Sequence, residues 1–110
     1  MIKEDLEQFK LKIFVDIDET ICYYDGPREY HLALPIKFHI NKINDLYDKG
    51  NEITYWTARG SVHKDKRDEY YKLTKKQLKK WGCKYHHLNV GDKPAYDLLI
   101  CDKSKRIEEM

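Results

Sequence analysis

The stretch KLKIFVDIDET, residues 10–20, decides the fold of this chain. A short β-branched and aromatic run ends there abruptly in carboxylates. A buried strand that carries polar groups to its end has this pattern. The sequence therefore predicts a first strand over residues 10–16, with Asp16 and Asp18 at its carboxyl end.

Strand and helix patterns alternate over the rest of the chain. Residues 17–35 contain Gly26, Pro27 and Pro35 without a sustained period, which is typical of a loop or small flap. Further along, runs of helical spacing and β-branched runs take turns. The predicted elements are a helix from Ile36 that stops at Gly50, a strand over 51–56, a helix over 64–81 closed by Gly82, a weaker strand over 85–88 and a last strand over 96–102.

This alternation predicts an α/β fold, because strands separated by helices pair in parallel through right-handed crossovers. We expect a small Rossmann-like three-layer sandwich, with a mainly parallel sheet of about four strands covered on both faces. A length of 110 residues is near the common size of one domain, so residues 1–110 are predicted to form a single domain without a cap. Residues 1–9 are predicted to be an acidic, helical N-terminal extension.

The composition argues for a folded chain with no obvious macromolecular partner. Hydrophobic residues make up 41% of the chain, which is enough for a core. The 21 basic and 19 acidic residues leave a net charge of only +2, so the overall charge does not indicate a nucleic acid or a membrane. Basic residues cluster between positions 59 and 87, where a solvated helix face and a surface for an anionic substrate both stay open.

The cysteines indicate a reducing compartment. Cys22, Cys83 and Cys101 are odd in number and lack paired spacing, which favours neither a disulfide framework nor a zinc site. No apolar run approaches the roughly 18 residues of a membrane span. We therefore expect a cytoplasmic protein with no membrane association.

Polar residues at the predicted strand ends suggest phosphoryl transfer. Asp16 and Asp18 would aim at one small volume and repel each other, and a hard divalent cation such as Mg²⁺ with a bound phosphate would offset that repulsion. Thr57 ends the second strand, Lys93 lies in the loop before the last strand, and Asp102 ends that strand. Because ligands of parallel sheets bind beyond the carboxyl ends of the strands, these residues form one predicted site.

Four segments resemble the signatures of haloacid dehalogenase (HAD) superfamily phosphatases, in the order that family has them. They span residues 11–103 and comprise Asp16–Thr20, Ile53–Thr57, Lys93-Pro94 and Leu98–Asp102. Residues 55–60, together with 77–82, are also similar to small capless members often labelled as capsule or lipopolysaccharide biosynthesis phosphatases.

The resemblance implies a covalent mechanism. Asp16 would attack phosphorus to form an aspartyl-phosphate, and Asp18 would protonate the leaving oxygen and later activate water. Mg²⁺ would be held by the Asp16 side chain, the Asp18 backbone carbonyl and a carboxylate of the last strand. The residues expected to contact the phosphate or shape its loop are Ile17, Thr20, Thr57, Ala58, Arg59 and Lys93.

Two features leave alternatives open. Arg59 would either grip a second anionic group of the substrate or form a structural salt bridge. Cys101 stands where the fourth signature commonly has the first of two aspartates, and sulfur is not a ligand for Mg²⁺. We assign the third metal ligand to Asp102, because Asp97 would lie roughly 16 Å away along the strand at about 3.3 Å per residue.

We therefore expect a Mg²⁺-dependent phosphatase that hydrolyses a phosphomonoester of a small molecule, such as a sugar phosphate. Without a cap the site would be open unless a neighbouring subunit of a homo-oligomer covers it. The alternatives are a catalytically weak binding module that recruits a polyanion and a phosphatase of polynucleotide ends. A signalling receiver domain is disfavoured, because the second strand ends in Thr57 rather than in a phosphoacceptor aspartate.

Overall fold

The computed structural model describes residues 10–61, 64–91 and 98–100. Short 3₁₀ turns occupy Tyr30–Leu32 and Lys64–Lys66. The strands and helices are β1 (Lys12–Asp16), β2 (Cys22–Tyr23), β3 (Leu34–Pro35), α1 (Lys37–Asp48), β4 (Glu52–Thr57), α2 (Arg67–Lys80), β5 (His87–Val90) and β6 (Leu98–Ile100).

The main sheet has four strands in the order β5-β4-β1-β6, and all three pairings are parallel. Val15 pairs with Tyr55 on one side and with Ile100 on the other, so β1 lies between β4 and β6. The predicted α/β architecture with a mainly parallel sheet is thus confirmed. The chain runs from β1 to β4 and β5 on one side and then crosses to β6 on the other, which places the carboxyl end of β1 at the switch point where such sheets bind ligands.

The sequence pattern of each helix explains where it begins and ends. α1 presents Ile40 and Ile43 to the core, and the chain leaves it through Gly50 with φ of 97°. α2 carries acidic residues in its first turn and Lys79 and Lys80 in its last turn, which complements the helix dipole. Among the residues that the structure describes, neither helix combines the length and the hydrophobicity that a membrane span requires.

The core lies on one face of the sheet. Ile13 and Val15 of β1 point to the same side as Ile53 and Tyr55 of β4, because residues in parallel register share a face. Each buried aliphatic or aromatic side chain contributes about 1.5–3 kcal/mol. The helix residues that pack in the same buried cluster are Ile40, Ile43, Leu78 and Trp81.

Both helices belong to a single layer. The Lys37 ammonium of α1 donates to the Trp81 carbonyl at 2.5 Å, and the Asn44 side-chain amide donates to the Gly82 carbonyl at 2.9 Å. Right-handed crossovers in one direction along the sheet produce this arrangement. The expectation of helices on both faces is not met within the described residues, since the half-buried Phe14 and Trp56 point to the opposite side and neither described helix packs there.

The predicted flap is a short antiparallel hairpin. Tyr23 of β2 pairs with Leu34 of β3, and the Ile36 amide donates to the Ile21 carbonyl at 2.8 Å. Ile21 and Cys22 are fully buried, so the hairpin is anchored in the core immediately after β1. This anchoring fixes the residues between β2 and β3 beside the predicted site.

Gly60, in the connection between β4 and α2, should not tolerate a side chain. Its φ is 80°, and an added Cβ would lie 2.8 Å from Cδ2 of Tyr70. Gly50 is the matched control, because its φ of 97° imposes similar backbone strain while nothing lies within 4 Å of its added Cβ. We expect Gly60→Ala to lower the free energy of unfolding by about 1–3 kcal/mol more than Gly50→Ala, as overpacking does. Urea unfolding would measure the difference, and equal losses would contradict the contact.

Candidate active site

The turn after β1 presents Asp16 and Asp18 at the switch point of the sheet. Between them Ile17 is buried, and its amide donates to the Trp56 carbonyl of β4 at 3.1 Å. The Ile21 amide then donates back to the Ile17 carbonyl at 3.0 Å, and Glu19 adopts a left-handed φ of 67°. The chain therefore bends sharply away from the sheet directly after the two aspartates.

The Asp18 carboxylate forms a two-pronged ion pair with Arg59. Nη2 of Arg59 donates to Oδ1 at 2.7 Å, and Nε donates to Oδ2 at 3.0 Å. The Tyr24 hydroxyl also donates to Oδ1, at 2.5 Å, and the Thr57 hydroxyl donates to Oδ2 at 3.1 Å. The Asp18 side chain is 10% exposed and that of Arg59 is 0% exposed, so this is a buried pair with strong geometry.

Arg59 also holds the surrounding elements together. Its Nη1 donates to the Thr74 hydroxyl at 3.1 Å and to Oε1 of Gln77 at 2.6 Å, both on α2. Its guanidinium lies 4.8 Å from the centre of the Tyr30 ring, and the Gln77 amide donates to the Tyr30 carbonyl at 2.7 Å. One buried cation thus joins β4, α2, the flap and the turn after β1.

These contacts set the charge state of the site. Burial raises the pKa of Asp18, but the hydrogen bonds and positive charge of Arg59 outweigh it, so the pKa lies below its ordinary value. Burial lowers the pKa of Arg59, but its bonds to Asp18 outweigh that effect and raise it. Burial and the nearby Asp18 raise the pKa of the Cys22 thiol to about 12. At neutral pH the site holds a carboxylate, a guanidinium and a protonated thiol.

The structure brings four of the predicted residues to the ends of neighbouring strands. Asp16 ends β1 beside Trp56 of β4, and Thr57, which follows, contacts Asp18. Arg59 forms the salt bridge that was one of its two expected roles, and its side chain is buried away from solvent. The contacts of Asp16, Ile17, Thr57 and Ala58 with a phosphate stay predictions, as does such a contact of Arg59.

Other predicted residues lie deeper or outside the described chain. Thr20 is 2% exposed, and its carbonyl accepts a hydrogen bond from Nδ1 of His39 on α1 at 2.8 Å. A direct phosphate contact therefore suits it less than the role of fixing the loop. Lys93, Asp97, Cys101 and Asp102 fall outside the described residues.

Sequence reasoning did not identify the partners of Arg59 on α2. Thr74 and Gln77 are fully or nearly fully buried, at 0% and 8% exposure. The signal was present, because they stand one helical turn apart on the face that also carries Leu78 and Trp81. Two polar residues on an apolar face require buried partners, and a nearby arginine is a natural one.

Two of the three oxygen ligands expected for Mg²⁺ belong to residues that the structure describes, Asp16 and Asp18. Both side-chain oxygens of Asp18 are taken by Arg59, Tyr24 and Thr57, which leaves its backbone carbonyl as the donor expected from that residue. The Asp16 carboxylate at the strand end is the second hard oxygen donor, and such donors suit Mg²⁺. Within the described ranges no three His, Cys, Asp or Glu side chains cluster as a metal site, and the third expected ligand, Asp102, lies outside them.

Comparisons with known proteins identify a similar fold and no family. No model of a known protein family matches this chain, and no curated protein matches it. Among solved structures, the crystal structure of a structural-genomics target from Vibrio cholerae is similar, with a TM-score of 0.65 and 22% sequence identity over 76% of this chain and 72% of that one. At this identity the similarity concerns the fold alone.

Removing the charge of Asp18 should destabilise the protein strongly. Asp18→Asn leaves the buried Arg59 cation without its counter-charge, which costs about 3–5 kcal/mol. Asp48→Asn is the control, because the pair of Asp48 with Lys84 is exposed and should contribute less than about 1 kcal/mol. Urea unfolding of both variants measures the contrast. Similar losses for the two would contradict the structural role of the buried pair.

The contribution of Asp18 to stability should also depend on pH in a defined direction. Because its folded pKa is lowered, its contribution is complete above the unfolded value of about 3.9 and disappears as the pH falls through the folded pKa. The difference in stability between the wild type and Asp18→Asn should therefore stay constant above about pH 5 and shrink below about pH 4. Chemical unfolding at a series of pH values would show it, and a gap that already closes near pH 6 would exclude a lowered pKa.

Proposed function

We propose that this protein is a Mg²⁺-dependent phosphatase with a HAD-like fold that hydrolyses a phosphomonoester through an aspartyl-phosphate. The observation that carries the proposal is the position of Asp16. It ends the central strand β1 at the switch point of a parallel sheet, next to a buried carboxylate and a strand-end hydroxyl. The order and spacing of these residues agree with the resemblance to HAD phosphatases.

Asp16 is the residue suited to be the nucleophile. A carboxylate oxygen of Asp16 would attack phosphorus, a new phosphorus–oxygen bond would form, and the bond to the leaving oxygen would break with a proton going to that oxygen. Water would then attack the aspartyl-phosphate, lose a proton and release inorganic phosphate with the Asp16 carboxylate restored. Asp16 is half-buried at the carboxyl end of β1, where a ligand bound at the switch point of the sheet would lie.

Asp18 would serve as the base of the second step and as the acid of the first. Arg59 keeps Asp18 in the carboxylate form and lowers its pKa, so Asp18 is a weak base for water unless that pKa rises. As an acid it must first be protonated, and the negative charge of an arriving phosphate would raise its pKa toward that state. In this proposal Arg59 is a positioning residue, since it orients Asp18 and sets its charge.

The remaining predicted residues have supporting roles. Thr57 donates to Asp18 and accepts a hydrogen bond from the Arg59 amide at 3.2 Å, so it would have to turn its hydroxyl to hold a phosphate oxygen. Mg²⁺, held by Asp16, the Asp18 carbonyl and Asp102, would supply charge neutralisation for the phosphate. Lys93 would add positive charge near the phosphate, at the carboxyl ends of the strands.

A second candidate is a binding module for a polyanion. It is favoured by the outer surface of α2, where five lysines are all exposed. They are Lys72, Lys75, Lys76, Lys79 and Lys80. A phosphatase acting on a polynucleotide end would use the same surface, and loss of binding to single-stranded DNA with rising salt would reveal it.

Replacing Asp16 tests the phosphatase directly. The wild type should release phosphate from p-nitrophenyl phosphate with Mg²⁺ and stop when EDTA is added. Asp16→Asn should lower turnover by at least about a thousandfold, because it removes the nucleophile. Asp45→Asn, on the exposed surface of α1, is the control and should keep wild-type turnover. An Asp16→Asn enzyme that retains more than about a tenth of the activity would exclude the covalent mechanism.

A further inference from the structure

A cleft of about 550 Å³ opens beside Ala58, the residue that follows Thr57. One wall is the flap from Arg28 to His31, and the other is formed by Ser61 and by Tyr70 of α2. Its volume is in the range of small-molecule sites. Because Ala58 lines the cleft and Thr57 lies at the strand ends, a phosphate ester held by Asp16 and Thr57 would place its organic part here.

The polar groups of the cleft are mixed in sign. Arg28 is half-exposed and forms an ion pair with Glu19, which uses one of the donors of its guanidinium. Glu29, His31 and Ser61 also line the cleft and are exposed. Arg28 is paired with Glu19, which lies outside the cleft lining, and Glu29 adds a negative charge within it, so the cleft offers donors and acceptors without an excess of positive charge.

The aromatic walls do not favour a flat base. Tyr30 and Tyr70 meet edge to face, with ring centres 5.4 Å apart and an angle of 87°. The guanidinium of Arg59 lies over the Tyr30 ring. Two perpendicular rings cannot sandwich a planar nucleobase, whereas their edges and hydroxyls can line the site of a saturated, hydroxylated group.

The geometry points to a neutral, hydroxylated leaving group in this cleft, so that the substrates are sugar or polyol phosphates rather than nucleotides. Sugar hydroxyls both donate and accept, which matches the mixture of Arg28, Glu29 and Ser61. A second phosphate group, as in a nucleoside diphosphate, would find no surplus positive charge in the lining of the cleft. This inference rests on the proposed function, since it assigns the organic part of the same substrate.

Filling the cleft from Ser61 tests the inference. Ser61 is exposed and lines the cleft, so Ser61→Trp should block it. The probes are glucose 6-phosphate, adenosine 5′-monophosphate and acetyl phosphate, whose small acyl group needs little of the cleft. We expect the wild type to prefer glucose 6-phosphate to the nucleotide by at least about tenfold in kcat/KM. Ser61→Trp should reduce kcat/KM for glucose 6-phosphate at least about tenfold more than for acetyl phosphate, mainly through KM.

Two further variants control the experiment. Lys49→Trp introduces an equally large side chain at an exposed residue at the end of α1, and it should leave kcat/KM unchanged for both glucose 6-phosphate and acetyl phosphate. If Ser61→Trp does not fold by circular dichroism, Arg28→Ala takes its place and should raise KM for glucose 6-phosphate by about fivefold. A preference for the nucleotide, or equal losses on glucose 6-phosphate and acetyl phosphate, would overturn the assignment of the cleft.

Failure of the phosphatase itself would be recognised separately. If the wild type with Mg²⁺ hydrolyses neither acetyl phosphate nor p-nitrophenyl phosphate, the proposed function is wrong. A binding experiment then tests whether the cleft accepts a sugar phosphate. Glucose 6-phosphate would then be titrated into ¹⁵N-labelled protein. Shifts of the Gly60 and Ser61 amide signals that are lost in Ser61→Trp would support the cleft as a sugar phosphate site, and no shift up to about 20 mM would overturn it.

Discussion

The buried ion pair between Asp18 and Arg59 is the constraint on which the rest of the site depends. Removing both charges from water costs several kcal/mol per ion, and only a close, well-directed pair repays it. The turn after β1 and the turn after β4 are therefore fixed relative to each other by the requirement that Arg59 meets Asp18. Thr74 and Gln77 extend this requirement to α2, and Tyr24 extends it to the flap.

The same constraint fixes the charge state of Asp18, which lies two residues after Asp16 at the end of β1. Asp16 lies half-buried at the end of β1, and Asp18 in the turn that follows accepts hydrogen bonds from Arg59, Tyr24, Thr57 and the Cys22 thiol. A carboxylate stabilised in this way has a lowered pKa, so it is a weak proton acceptor and carries no proton to donate at neutral pH until its surroundings change. In the proposed function an arriving phosphate dianion would bring that change, because negative charge near Asp18 disfavours its ionised form. Substrate binding would thus prepare the acid that the proposed first step requires.

The parts of the fold that depend on local pattern were predicted from the sequence, and those that depend on tertiary contacts were not. The periodicity of residues 10–16, 36–50 and 64–81 predicted the order of these strands and helices. The ends of the predicted strands placed Asp16 and Thr57 at one edge of the sheet.

The placement of both described helices on one face follows from the strand order β5-β4-β1-β6, which the alternation of strands and helices does not determine. The hairpin has strands of two residues each, too short for a period to detect. The partners of Arg59 on α2 are 15 and 18 residues away in sequence, so only folding brings them together. The expected roles of Lys93 and Asp102 stay predictions.

Tyr30 connects the cleft to the ion pair. Its ring contacts the Arg59 guanidinium, its carbonyl accepts from Gln77, and the same residue lines the cleft. A ligand that shifts Tyr30 would therefore change the surroundings of Arg59, and through Arg59 the pKa of Asp18. The contact between Tyr30 and Arg59 can change the pKa of Asp18 only if these side chains have a second arrangement, in which Arg59 binds Asp18 less tightly. The proposed acid step requires such an arrangement, so recognition of the organic part of the substrate and protonation of its leaving oxygen would depend on the same few side chains.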